Sequence, residues 1–146
     1  MSALIDTNVL VRAADPVDPA HQTAIEALIR LRRAGTALWV AAQNVIEFWN
    51  VVTRPVSSNG LGWPIEVALA ERRRIERLYR LEPDEPGIYE KWRGLVDEHR
   101  VGGRQVFDAR LVAIMLIAEI DGIVTFNRAD FTRYGVAVLD PAAPGG

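Results

Sequence analysis

The sequence predicts an α/β fold in which a mainly parallel sheet is covered by helices. Short apolar runs at residues 3–5, 37–41, 123–126 and 136–139 read as strands, the first of them buried. Stretches with helical periodicity separate them, as a parallel sheet requires of its crossovers. The chain has 146 residues, 49% hydrophobic and 25% charged, which is the composition of one globular domain and excludes bulk disorder.

Each element follows from its residues. The first strand runs into Asp6-Thr7-Asn8 and a short helix over 9–14, which Pro16 and Pro19 end. A helix resumes over 20–33 with Ala24, Ala27, Leu28 and Leu31 on one face, and Gly35 stops it. After the second strand, residues 43–53 form a helix rich in large apolar groups, followed by a loop at 55–62 around Ser57-Ser58-Asn59-Gly60. Pro64 suits the first turn of a helix reaching Tyr79, with Val67, Leu69, Ile75 and Leu78 expected in the core. A link near Leu81 leads to a helix over 87–98 and a glycine loop at 101–104. Residues 106–120 are apolar on nearly all sides, which marks that helix as central. The strand at 123–126, a polar turn at 127–131 and the strand at 136–139 complete a single domain over 1–140. Residues 141–146 read as a flexible tail.

Composition also bounds the function. Without cysteine there is no disulfide framework, thiolate nucleophile or cysteine-held zinc. No apolar run reaches a membrane span, and the N-terminus lacks the pattern of a signal peptide, so a cytoplasmic protein with no membrane partner is expected. The net charge of −2 does not mark a nucleic-acid binder, yet 16 of the 17 basic residues are arginine, whose planar fork suits phosphate.

The acids fall in a pattern. In an α/β sheet the ligand site lies at the carboxyl ends of the strands. Asp6 ends the first strand, and Asn127 and Asp130 follow the third. Asp108 sits near the start of the apolar helix, and Glu47 lies within another apolar helix on a polar stripe with Gln43, Asn44, Asn50 and Arg54. Singly, each acid has an ordinary explanation. Asp6, Asp108 and Asp130 suit helix or turn caps, and Glu47 suits an ion pair with Arg54 or another arginine. Together, converging carboxylates repel one another, and such a set of hard oxygens without cysteine is what Mg²⁺ or Mn²⁺ requires. That is a chemistry of phosphodiester hydrolysis.

At these residues the chain resembles the PIN-domain family of metal-dependent nucleases, which includes the VapC ribonuclease toxins of toxin–antitoxin pairs. The resemblance runs from Leu4 to Leu139 and is carried by Asp6-Thr7-Asn8-Val9-Leu10, Asn44-Val45-Ile46-Glu47-Phe48-Trp49, Asp108-Ala109-Arg110-Leu111-Val112-Ala113 and Thr125-Phe126-Asn127-Arg128-Ala129-Asp130-Phe131. It implies a three-layer α/β/α fold and a Mg²⁺ or Mn²⁺ site formed by Asp6, Asp108 and Glu47. Asp130 joins them, or Asn127 does, since the family varies between Asp and Asn at the place that Asn127 fills. It further implies that Thr7, Asn8, Thr125 and Asn127 hold the carboxylates in place, and that the reaction is in-line attack by water on an RNA phosphodiester. Glu47 would bind metal or orient the water. An antitoxin protein and a homodimer are the partners the family suggests.

Arg104 and Arg110 flank Asp108 and suit either phosphate contact or an ion pair with a nearby acid. The basic run 72–80 reads as a solvated helix face, with RNA guidance the alternative. His21 and His99 read as surface or packing groups. Trp39 and Trp49 fit the core, whereas Trp63 suits a hydrophobic staple or a stacked base. Two other functions compete. One is a catalytically silent module of the same fold that binds RNA or a protein. The other is an aspartyl-phosphate enzyme with Asp6 as nucleophile, disfavoured because Asn8 stands where a second aspartate is wanted and Lys91 is the only lysine.

Overall fold

The computed structural model describes residues 1–143. Five strands, β1 (Ser2–Ile5), β2 (Ala37–Ala41), β3 (Arg80–Glu82), β4 (Gly122–Val124) and β5 (Ala137–Leu139), form one sheet in the order β3-β2-β1-β4-β5. Every neighbouring pair is parallel. The six α-helices of the described residues are α1 (Thr7–Ala14), α2 (His21–Arg33), α3 (Ala42–Thr53), α4 (Ile65–Leu78), α5 (Ile88–His99) and α6 (Gln105–Ala118).

Successive side chains on a strand point to opposite faces, so a sheet covered on both sides needs apolar residues at every position. Ala3 and Ile5 enter one core with Leu38, Val40 and Val124, whereas Leu4 enters a second with Ala41 and Ile123. The first core is completed by α1 to α4 through residues such as Leu10, Leu28, Phe48 and Ile75. The second is completed by α5 and α6 through Ile88, Leu95 and the run Leu111–Met115. The result is the three-layer α/β/α arrangement. At Gly122 a Cβ would lie 3.0 Å from the Ala137 carbonyl oxygen, so glycine lets β4 sit close to β5.

Three local expectations are corrected. The link near Leu81 is a strand: β3 is a three-residue, mostly exposed edge, visible only through its pairing of Trp39 with Arg80 and of Val40 with Leu81. Val67 and Leu78 lie exposed on α4, whose buried residues are Ala68 and Ile75. The third expected strand stops at Val124, and the Thr125 hydroxyl donates to Asp6 just beyond β1. The loop after α3 folds onto that helix, with the N–H groups of Leu61, Gly62 and Trp63 donating to the carbonyls of Val51, Arg54 and Val52. Trp63 packs against the first core, as a staple does.

Of the expected tail, Pro141 is buried, and its carbonyl and that of Ala143 accept from Arg30; residues 144–146 lie outside the described residues. No helix is long and apolar enough to cross a membrane among the described residues.

Candidate active site

The strand order reverses between β1 and β4, the place where an open parallel sheet forms a crevice at its carboxyl edge. Asp6 leaves β1 there. It is 6% exposed and serves as N-cap of α1, one oxygen accepting from the Thr7 N–H at 2.8 Å. Its other oxygen accepts from the Thr125 hydroxyl at 2.7 Å and the Asn8 amide at 3.2 Å. The capping role and a place in the crevice therefore coexist in one residue.

The neighbours of Asp6 form a connected net. Asn8 donates to the Thr125 hydroxyl oxygen and accepts from the Phe126 N–H, joining the turns after β1 and β4. The Asn127 N–H donates to the Thr125 hydroxyl oxygen, and the Asn127 carbonyl accepts from the Asp130 N–H. Thr7 donates its hydroxyl to Glu47 at 2.7 Å and accepts from Asn44, which is fully buried and also accepts from the Ala41 N–H.

Glu47 is held by neutral donors rather than by an arginine: Thr7 on one oxygen and Gln43, at 2.8 Å, on the other. Arg54 instead donates to the Asn59 carbonyl. Asp108 is not a cap. Helix α6 begins at Gln105 behind Arg104, leaving Asp108 at the end of the first turn. Asp130 follows β4 on a single 3₁₀ turn.

Electrostatics link the acids that the chain holds apart. Burial pushes the Asp108 carboxyl up to about 7, and the charges of Asp6, Asp130 and Glu47 add to it against the opposing charge of Arg133. Burial also pushes Asp6 up to about 6, against the hydrogen bonds from Thr125 and Thr7, with Glu47 and Asp130 raising it further. Asp6 and Asp108 thus both lie within reach of the charges of Glu47 and Asp130. Among the described residues, however, no three of the His, Asp or Glu side chains converge closely enough to form a ready-made ligand set. Asp6 and Glu47 each lean on their own donors.

Sequence reading missed Arg133 and Tyr134. Arg133 donates to Gln105 and supplies the positive charge nearest Asp108 in effect. The Tyr134 hydroxyl is buried without a hydrogen-bond partner among the described residues, and burial pushes its pKa up against the charge of Arg133, with Asp108 and Asp130 adding to the rise. Gln43 was visible only as one member of the polar stripe. Arg110 donates to Gln43 and to Asp84, so its ion-pair reading describes what it does here. Arg104 is exposed at the start of α6. His21 contacts the Arg12 carbonyl and His99 packs edge-on against Tyr134. Arg72 lies over Trp49 and Arg74 pairs with Glu71, in keeping with a solvated helix face. A separate groove of about 280 Å³ between α1, α2 and α4, lined by Leu10, Leu28, Ile75 and Leu78, contains none of Asp6, Glu47, Asp108 and Asp130.

The PIN-domain family model matches residues 3–137 of the chain. Ribonuclease VapC24 of Mycobacterium tuberculosis, in strains CDC 1551 / Oshkosh and ATCC 25618 / H37Rv, is 30% identical over 145 residues, covering 97% of this chain and 98% of the relative. Among solved structures, the Mycobacterium tuberculosis VapC20 sarcin-ricin-loop-cleaving toxin superposes with a TM-score of 0.69 at 20% identity, covering 92% of this chain and 96% of that one. FitAcB from Neisseria gonorrhoeae gives 0.67 at 22% identity, covering 97% and 98%. A toxin–antitoxin complex from Klebsiella pneumoniae gives 0.61 at 20% identity, covering 95% and 97%. The chain belongs to the PIN-domain family.

Proposed function

We propose that this PIN-domain chain is a divalent-metal-dependent endoribonuclease that hydrolyses RNA phosphodiesters in the crevice between β1 and β4. The observation that carries the reading is the placement of Asp6 and Asp108, where burial, with the charges of Glu47 and Asp130 adding to it, raises Asp6 to about 6 and Asp108 to about 7. Buried carboxyls with near-neutral pKa values beside a strand-end crevice are costly to the fold and mark functional sites. Full-length similarity to a ribonuclease supports the same conclusion.

The donor set suits a hard cation: carboxylate oxygens, with neither sulfur nor imidazole among the four residues. Asp6, Glu47, Asp108 and Asp130 would hold Mg²⁺ or Mn²⁺, which when bound offsets their repulsion and polarises a phosphoryl oxygen. Thr125 and Asn8 keep one oxygen of Asp6 oriented, and Thr7 and Gln43 keep the Glu47 carboxylate in one plane. Each Glu47 oxygen retains a lone pair with which to orient the attacking water and accept its proton. Arg133, whose charge acts on Asp108, and Arg104, exposed at the start of α6, would contact the phosphate backbone, whereas Arg110 serves the protein's own acids.

By similarity to relatives described as toxins and as toxin–antitoxin complexes, we assign the chain to a toxin–antitoxin pair acting in the cytoplasm. Its partners would be a small antitoxin protein and a second copy of itself. The second reading, a catalytically silent module that binds RNA or protein, is favoured by one observation: the acids stand apart rather than clustered.

Purified protein incubated with RNA and Mn²⁺, with and without chelator, decides between the two. The nuclease reading requires cleavage that chelator stops and that Asp6→Asn and Asp108→Asn abolish without changing the circular dichroism spectrum. Undiminished cleavage by both variants, or none by the wild type, refutes it.

A further inference from the structure

We infer that Gln43 is a positioning residue that orients Glu47 against the start of α6 and links it to Arg110. The inference rests on the proposed metal-dependent reaction and concerns a residue outside the acidic set.

Gln43 is 8% exposed, and its amide is used on both sides. The nitrogen donates to Glu47 Oε1 at 2.8 Å and to the Phe107 carbonyl at 3.0 Å, and the oxygen accepts from Arg110 at 2.8 Å. This orientation is the only one the partners permit. Arginine can only donate, while a carboxylate and a carbonyl can only accept, so reversing the amide would break all three bonds. Four residues along α3, Gln43 and Glu47 stack on one helix face, which brings the amide beside the carboxylate.

The Phe107 carbonyl belongs to the peptide unit whose nitrogen is that of Asp108. Gln43 therefore ties the Glu47 side chain to the backbone that carries Asp108, bridging α3 and α6. Arg110 is held in turn by Asp84, at 3.2 Å, from the loop after β3. A charged donor on the amide oxygen polarises the amide and strengthens the donation from its nitrogen to Glu47. Arg110 thus acts on the acidic site through Gln43 without occupying it. Thr7 holds the other Glu47 oxygen, so the carboxylate is fixed from two helices at once.

The test uses the full-length protein with three substitutions: Gln43→Leu, Arg110→Met and the pair. Readouts are calorimetric titration with Mn²⁺, kcat and KM for RNA cleavage, and the melting temperature in chelator. Loss of an outer hydrogen-bond partner costs roughly 10–100-fold in metal affinity or activity, and Gln43→Leu is expected to weaken Mn²⁺ binding by that range. It should lower kcat far more than it raises KM, beyond any loss of folded protein. Arg110→Met should act in the same direction but less, and the pair should be no worse than Gln43→Leu alone. If Gln43→Leu does not fold, Gln43→Asn, which keeps an amide too short to reach Glu47, should show the same loss. Wild-type Mn²⁺ affinity and kcat in a Gln43 variant, losses that track only the folded fraction, or additive effects of the two substitutions would overturn the inference and leave the nuclease reading standing. A wild-type protein that binds no Mn²⁺ overturns the nuclease reading, and the inference falls with it.

Discussion

The hydroxyl of Thr125 donates to the buried carboxylate of Asp6 at 2.7 Å, across 119 residues of chain. That bond joins the turns after β1 and β4 and opposes the burial that raises Asp6. Replacing Thr125 by Val keeps the shape and removes the donor, leaving Asp6 with one fewer bond to its charged form. RNA cleavage should fall by roughly 10–100-fold, and the acidic limb of the pH–rate profile should move to higher pH. Thr125→Ser should restore both; a silent Thr125→Val would show that the bond is only structural.

Asp108 makes the folded state sensitive to pH. Its folded value of about 7, like the value of about 6 for Asp6, lies above the ordinary carboxylate range. A carboxyl raised in this way binds its proton more tightly when folded, so its contribution to stability is complete below about pH 4 and is lost as pH rises through 6 to 7. In chelator, Asp108→Asn should leave the melting temperature unchanged near pH 4 and raise it at pH 8. Discounting for the half-exposed charge, the gain is about 1 kcal/mol, or roughly 2–4 °C for a chain of this size. A pH-independent difference between the two proteins would contradict this account.

Binding of a divalent cation should reverse that penalty. With Mn²⁺ at about 100 times its Kd, mass action stabilises the folded state by about 2.7 kcal/mol. Thermal unfolding of the wild type should therefore shift upward with Mn²⁺ and return with chelator, while Asp6→Asn should not shift. Protons compete for the same oxygens, so the shift should shrink below pH 6.

Arg133 offers a separate handle on the same group. Its positive charge opposes the rise of the Asp108 pKa, and its guanidinium is exposed and bonded to Gln105. Arg133→Gln should move the acidic limb of the cleavage profile upward by a fraction of a pH unit, with the melting temperature nearly unchanged. A profile that stays in place would remove Arg133 from the electrostatics of the site.

Much of this molecule was legible in the sequence because its signals are local. Apolar runs mark β1, β2, β4 and β5, and Asp6 at a strand end and Glu47 within an apolar helix stand out against their neighbours. What only the tertiary structure decided depends on partners distant in the chain. β3 exists because Arg80–Glu82 pair with Trp39–Ala41, and nothing in three largely exposed residues announces that register. The strand order β3-β2-β1-β4-β5, which brings Thr125 to Asp6, is likewise a property of crossovers rather than of any segment. Whether Gln43 or Arg110 serves the solvent, the substrate or the protein's own acids was set by where α3 and α6 meet. A side chain's polarity is written in its residue type, but the group that satisfies it is chosen by packing.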